Sequence, residues 1–117
     1  MVDRRLKLLS DAVNAIDLAS AFLRGQVLAS YKIDFLRRSA VERQLEILGE
    51  ACARLGKEEP TLFERIPATR SAVVLRNRIA HGYDSIDDDI VFATVAVDLP
   101  ELRAMLWAWL RQLDPLA

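Results

Sequence analysis

Apolar residues return every three or four positions along most of this chain, the rhythm of amphipathic helices. Val2, Leu6, Leu9, Val13, Ile16, Ser20 and Leu23 follow one another at alternating spacings of four and three. That spacing predicts a helix from about Asp3 to Arg24, closed by Gly25. A second stripe, Leu8, Ala12, Ala15, Ala19 and Phe22, widens its apolar face beyond what one neighbouring helix covers. Such a helix either lies centrally in a bundle or turns part of its face to another subunit.

The next stretch, Gly25 to Asp34, reads equally as a loop or a short helical turn. Tyr31 within it reads as packing, since its only ionisable neighbours along the chain are Lys32 and Asp34. A second long helix is expected from Asp34, its cap, to about Leu55, with Val41, Leu45, Leu48, Cys52 and Leu55 inward. Cys52 on that stripe reads as a small buried hydrophobe with an inert thiol. Arg38, Glu42, Glu46, Glu50 and Arg54 form a row at intervals of four, in which three successive carboxylates repel. The first reading is a solvated ladder; in the second a basic neighbour, Arg76 or Arg78, relieves the repulsion and Glu46 is the partner for the site.

Gly56 to Thr61 reads as a linker, followed by a short helix around Leu62 to Arg65 that stops before Pro67. A helix from Ala68 to His81 comes next, anchored by Val73, Val74, Leu75 and Ile79. The last helix spans Asp87 to Leu113, with a kink or break near Asp98-Leu99 because Pro100 lacks a backbone donor. Trp107 lies off its stripe of Leu99, Leu102, Leu106, Trp109 and Leu113. It is read as a dimer or partner contact, or as a ring covering a neighbouring helix. The sum is an all-α, antiparallel bundle of four long helices plus a short one.

Composition narrows the function. With 117 residues, 52% hydrophobic and 28% charged, the chain is expected to fold as one domain over residues 1–117. A net charge of −1 and a pI near 5.8 exclude a blanket nucleic-acid binder, so any RNA contact is local. One cysteine excludes an internal disulfide and fits a reducing compartment. Asp3, Arg4, Arg5 and Lys7 break up the first apolar run, and no run reaches membrane-spanning length. A cytoplasmic location is the expectation.

Chemistry gathers in Arg76-Asn77-Arg78-Ile79-Ala80-His81-Gly82-Tyr83, which holds the single histidine. On a helix Asn77 and His81 lie about 40° apart, on one face. Arg76 and His81 are offset by about 140° with a rise of about 7.5 Å, so they do not stack within one helix. Either the Arg76 arm curls toward the imidazole, or two copies of the helix meet across a two-fold axis. Gly82 suits a left-handed C′ position, and the helix dipole favours a cation at His81.

This set fits metal-free cleavage of RNA. The 2′-OH is a built-in nucleophile that needs a base for its proton, an acid for the leaving oxygen and cations for the phosphate. Histidine suits the proton transfers and the arginine fork suits phosphate. One histidine cannot be acid and base at one instant, whereas a homodimer supplies two. The plainer alternative is a structural histidine among capping arginines. Asp84-Ser85-Ile86-Asp87-Asp88-Asp89 invites a Mg²⁺ site, but acids at a helix start are read first as caps. No metal ligand and no cofactor are assigned.

Arg76, four residues, His81, one residue and Tyr83 match the signature of the HepT-type toxins, a branch of the HEPN superfamily. Ala40-Val41-Glu42-Arg43-Gln44-Leu45-Glu46-Ile47-Leu48-Gly49-Glu50-Ala51 resembles that family's second-helix signature. Asp98-Leu99-Pro100-Glu101-Leu102 resembles its last-helix motif. The chain departs at Ala68-Thr69-Arg70-Ser71-Ala72, where the family often has an aromatic residue, which bears on packing rather than on Arg76 and His81. The resemblance implies an all-helical homodimer, a metal-independent ribonuclease and the toxin half of a type VII-like toxin–antitoxin pair. Arg76 and His81 would be catalytic, with Asn77 supporting. The implied partner is an MNT-type nucleotidyltransferase antitoxin that transfers AMP to Tyr83. The alternative is a non-catalytic module that binds a nucleotide or that partner.

Overall fold

The computed structural model describes residues 3–81 and 86–117. Tyr83 and Asp84 therefore lie outside the described residues. The helices are α1 (Arg4–Leu23), α2 (Leu28–Lys32), α3 (Phe35–Glu58), α4 (Leu62–Arg65), α5 (Pro67–Ala80), α6 (Asp88–Ala93) and α7 (Leu99–Leu113). A π turn, Thr94–Asp98, joins the last two into one long arm.

Local chemistry sets most of the boundaries. Asp3 caps α1 by accepting from the Arg5 amide at 2.9 Å, and Asp34 caps α3 by accepting from Arg37 at 3.0 Å. Gly25 closes α1 with φ +79°, a backbone open to glycine at little cost. Pro67 opens α5, where its missing N–H costs nothing. One boundary differs from expectation, and one open stretch is decided. Gly56 is not linker: α3 runs on to Glu58, because the Phe63 ring packs where a Gly56 Cβ would stand, 2.9 Å away. The ambiguous stretch after Gly25 contains α2, a single turn held down by the fully buried Tyr31.

The interruption expected near Asp98-Leu99 is present, and it takes the form of the π turn between α6 and α7. The Leu99 amide donates to the Thr94 carbonyl, a five-residue closure, and the widened turn leaves Pro100 in the first turn of α7.

The core sits around α3, which packs along α1 on one side and α5 on the other, while α1 also packs on α7. Arg5 at the start of α1 pairs with Glu59 just past α3, and Arg37 at the start of α3 donates to the Phe22 carbonyl at the end of α1. Those two helices are thus antiparallel. Both stripes of α1 are used inside the chain: Leu9, Ala12, Val13, Ala15, Ile16, Ala19 and Leu23 are all buried. The wide apolar face belongs to a central helix. Trp107 is a half-buried ring packed against the core, with Arg103 and Arg111 at 5.6 and 6.0 Å from its centroid. Among the described residues no helix is long and apolar enough to cross a membrane.

Packing gives Tyr31 neighbours that its sequence position did not. Glu42 and Asp88 face it as anions and Arg38 as a cation. Burial first, then the two carboxylates, push its phenol well above the usual range. Its hydroxyl is buried with no hydrogen-bond partner among the described residues. Tyr31→Phe should therefore hold or raise stability by about 1 kcal/mol in urea unfolding, since an unpaired buried hydroxyl costs that much. A clear loss would show that the hydroxyl is bonded.

Glu42 is pushed up by burial and then by Asp88. An acid raised in the folded state binds its proton more tightly there than when unfolded. Its stabilising contribution is therefore present below the ordinary glutamate pKa and declines as pH rises past it. Glu42→Gln, neutral at every pH, should match wild type near pH 4 and exceed it near neutrality in urea midpoint. Equal midpoints at neutrality would contradict this.

Candidate active site

The site begins with the contact between α3 and α5. Gly49 is buried on α3, and a Cβ there would lie 2.1 Å from Arg76 Cβ and 2.8 Å from the Ala72 carbonyl oxygen. Glycine alone lets the two helices come this close, and the closeness lays the stem of Arg76 across α3.

The guanidinium then finds fixed partners. Arg76 Nη2 donates to Glu50 Oε2 at 2.8 Å and Nη1 donates to Asn77 Oδ1 at 2.9 Å. The other Glu50 oxygen accepts from Arg54 Nε at 2.8 Å. The Arg54 hydrogen bond and, after it, the Arg76 charge hold the Glu50 carboxyl below the usual range. The Arg76 side chain is 35% exposed, so part of its fork faces solvent with donors to spare.

The basic residue expected to relieve the acidic row is therefore Arg76, but its partner is Glu50. Glu46 instead lies near Arg43 at 3.7 Å, though it lines the same recess as Arg76. A one-turn difference along α3 separates the two carboxylates, and the register against α5 chooses between them. Gly49 and Glu50 were both missed as site residues. The available signal was a glycine inside an otherwise unbroken helical stripe.

His81 is the C-cap residue of α5, exposed, its amide donating to the Asn77 carbonyl at 3.1 Å. It lines a recess with Val74, Asn77, Arg78 and Asp87. Arg76 lines a different one, with Arg43, Glu46, Glu50, Arg54 and Ala80. The angular offset read from the sequence is realised: within one chain Arg76 and His81 open onto two recesses. Asn77 connects them, bonding Arg76 through its side chain while lining the His81 recess. Its amide oxygen is thus engaged with the guanidinium.

The acidic run past the site has structural work at its described positions. Asp87 caps α6, accepting from the Asp89 and Ile90 amides at 2.9 and 3.4 Å. Asp88 pairs with Arg38 at 3.2 Å and Asp89 with Lys32 at 2.7 Å. These contacts tie the segment after His81 to α2 and α3. Among the described residues no cluster of histidine, cysteine and carboxylates has metal-binding geometry. Cys52 is fully buried, its thiol pushed up to about 12 by burial, which keeps it unreactive.

The described residues are thus all-helical, with an arginine fork and an exposed helix-end histidine carried by one helix and opening onto two recesses. Residues 12–108 match the ribonuclease HepT-like family, and the chain belongs to that family. It is 32% identical over 95 residues to a protein of Thermococcus cleftensis named "Probable ribonuclease HepT", across 81% of this chain and 86% of that one. No solved structure matches.

Proposed function

We propose that this protein is a metal-independent endoribonuclease that acts as a homodimer, the toxin of a toxin–antitoxin pair. The observation that carries the reading is the Arg76 guanidinium, clamped by Glu50 and Asn77 over Gly49 with donors left exposed, in a chain of a ribonuclease family. Such a fork binds the scissile phosphate and meets the charge that grows as the 2′-oxygen attacks. His81 takes the 2′-OH proton, and His81 of the second copy gives a proton to the departing 5′-oxygen. The new bond joins the 2′-oxygen to phosphorus and the bond to the 5′-oxygen breaks. The products are a cyclic phosphate end and a 5′-hydroxyl end. Because Arg76 and His81 open onto different recesses, a second copy supplies the convergence that one chain lacks.

The test is incubation of purified protein with RNA in EDTA, with the new ends identified chemically. Cyclic phosphate ends support the reading. RNA or nucleotide binding without turnover supports a non-catalytic binding module instead.

The partner is an MNT-type nucleotidyltransferase, and Tyr83 is its AMP acceptor. Added AMP brings bulk and negative charge two residues from His81, where RNA phosphate must dock. Protein co-expressed with the partner should carry AMP on Tyr83 by mass spectrometry and lose cleavage. An inactive complex with unmodified Tyr83 counts against this.

A further inference from the structure

The recess that holds Arg76 is a trough of about 420 Å³, with α3 as its floor and α1 and α5 as its walls. Leu8 and Asp11 line it from α1, Arg76 and Ala80 from α5. Arg43 and Arg54 are the first and last residues of α3 to line it. Their separation in the chain puts them about 20° apart around the helix and about 16.5 Å apart along it, on one face. The Arg76 head reaches Glu50 between them. Three guanidiniums therefore follow one another along the floor.

The two outer forks are the less engaged. Arg43 approaches Glu46 only at 3.7 Å, too long for a hydrogen bond, and its side chain is 66% exposed. Arg54 donates to Glu50 through Nε and is 65% exposed, which leaves its terminal nitrogens as open donors. The carboxylates around them are already answered. Both Glu50 oxygens accept from arginines, and Asp11 accepts from Lys7 at 2.9 Å. Lys57 adds its charge near Glu50. A chain with a net charge of −1 thus keeps a local surplus of cations in this one trough. A single small anion would fill one fork. A row of forks fits a ligand whose anions repeat along a line, and the middle fork is the one assigned to the scissile phosphate.

We propose that the trough is a track for a single RNA strand, in which Arg43 and Arg54 hold phosphates on either side of the one at Arg76. This rests on the ribonuclease reading and extends it from one phosphate to a strand. At a rise of about 3.4 Å per nucleotide, as in a stacked strand, the track spans about five nucleotides. Contacts to the backbone set affinity and register without choosing bases.

The test is binding of a fluorescent 2′-O-methyl RNA ten-mer, whose capped 2′-oxygen cannot attack, so binding is read without cleavage. Each phosphate contact should add about 0.7 to the slope of log affinity against log salt. Arg43→Gln and Arg54→Gln should each weaken binding and lower that slope by about 0.7, alike for several sequences. Arg24→Gln, an exposed change at the far end of α1, is the control and should leave the slope unchanged. In cleavage of unmodified RNA, Arg43→Gln should raise KM and leave kcat as it was. Slopes unchanged in both trough variants, or lowered as much by Arg24→Gln, would overturn the track. So would polyglutamate that competes as well as unlabelled RNA of equal charge, which would make the trough a site for acidic peptide. If a variant misfolds by circular dichroism, wild type decides: affinity should climb steeply from two to about five nucleotides, and a dinucleotide bound as tightly as a pentamer overturns the proposal. Cleavage without these effects would sink the track alone, whereas these effects without cleavage would sink the ribonuclease reading alone.

Discussion

His81→Ala should lower RNA cleavage by about 10²–10⁴-fold, the usual contribution of a positioned proton-transfer group. The chain holds a single histidine, so no second imidazole in the same copy can take over the proton transfer. His81 is exposed at the end of α5 and is not one of the buried core residues. Urea midpoints should therefore agree with wild type within the scatter of surface substitutions. Arg76→Ala should cost roughly 10²–10³-fold, as loss of one charge-stabilising donor group does. It should also cost some stability, since the stem packs over Gly49 and the head pairs with Glu50. Arg76→Lys restores charge without the planar fork and should recover only part of the activity. Equal cleavage by wild type, His81→Ala and Arg76→Ala in EDTA would remove the assignment.

The second large effect is expected at a residue with no side chain. Gly49→Ala puts a methyl group 2.1 Å from Arg76 Cβ and 2.8 Å from a carbonyl oxygen on α5. No rotamer relieves this, since one clashing atom is backbone and the other is the first atom of its side chain. The helices must part, at about 1–3 kcal/mol for overpacking of this kind. Urea unfolding measures that cost, and cleavage should fall with it because Arg76 loses its position against Glu50. Gly56→Ala is a useful comparison, as its new methyl meets only the outer edge of the Phe63 ring at 2.9 Å, which can swing. Stability unchanged in Gly49→Ala would mean that α3 and α5 do not approach as described.

Helix ends were legible wherever the signal was local. Asp3, Asp34, Gly25 and Pro67 act through backbone groups within a few residues of themselves, so their roles survive any tertiary arrangement. The motif of Arg76 and His81 was legible for the same reason, and so was their failure to stack on one helix. The reading failed where a distant residue decided. Gly56 resembles a helix stop until Phe63 is placed against it. Pro100 does mark an interruption of the α-helix, as read, but its form as a π turn was not legible. Tyr31 is buried packing, as read, but the charges that α3 and α6 bring around it, Glu42, Arg38 and Asp88, were not legible.

By itself, then, the order of residues determined an all-helical chain, the family it belongs to and which side chains carry candidate chemistry. The helices and the candidate side chains follow from periodicity, caps and spacing, all set within a turn or two of helix, whereas the family follows from the likeness of its motifs to those of known chains. Only the tertiary structure decided that Glu50 rather than Glu46 holds Arg76, that Asn77 bridges two recesses and that α1 and α5 wall a trough carrying Arg43 and Arg54 with Arg76. Those depend on the register between helices far apart in the chain. That register is set by side-chain volumes meeting across the core, above all by the missing Cβ at Gly49.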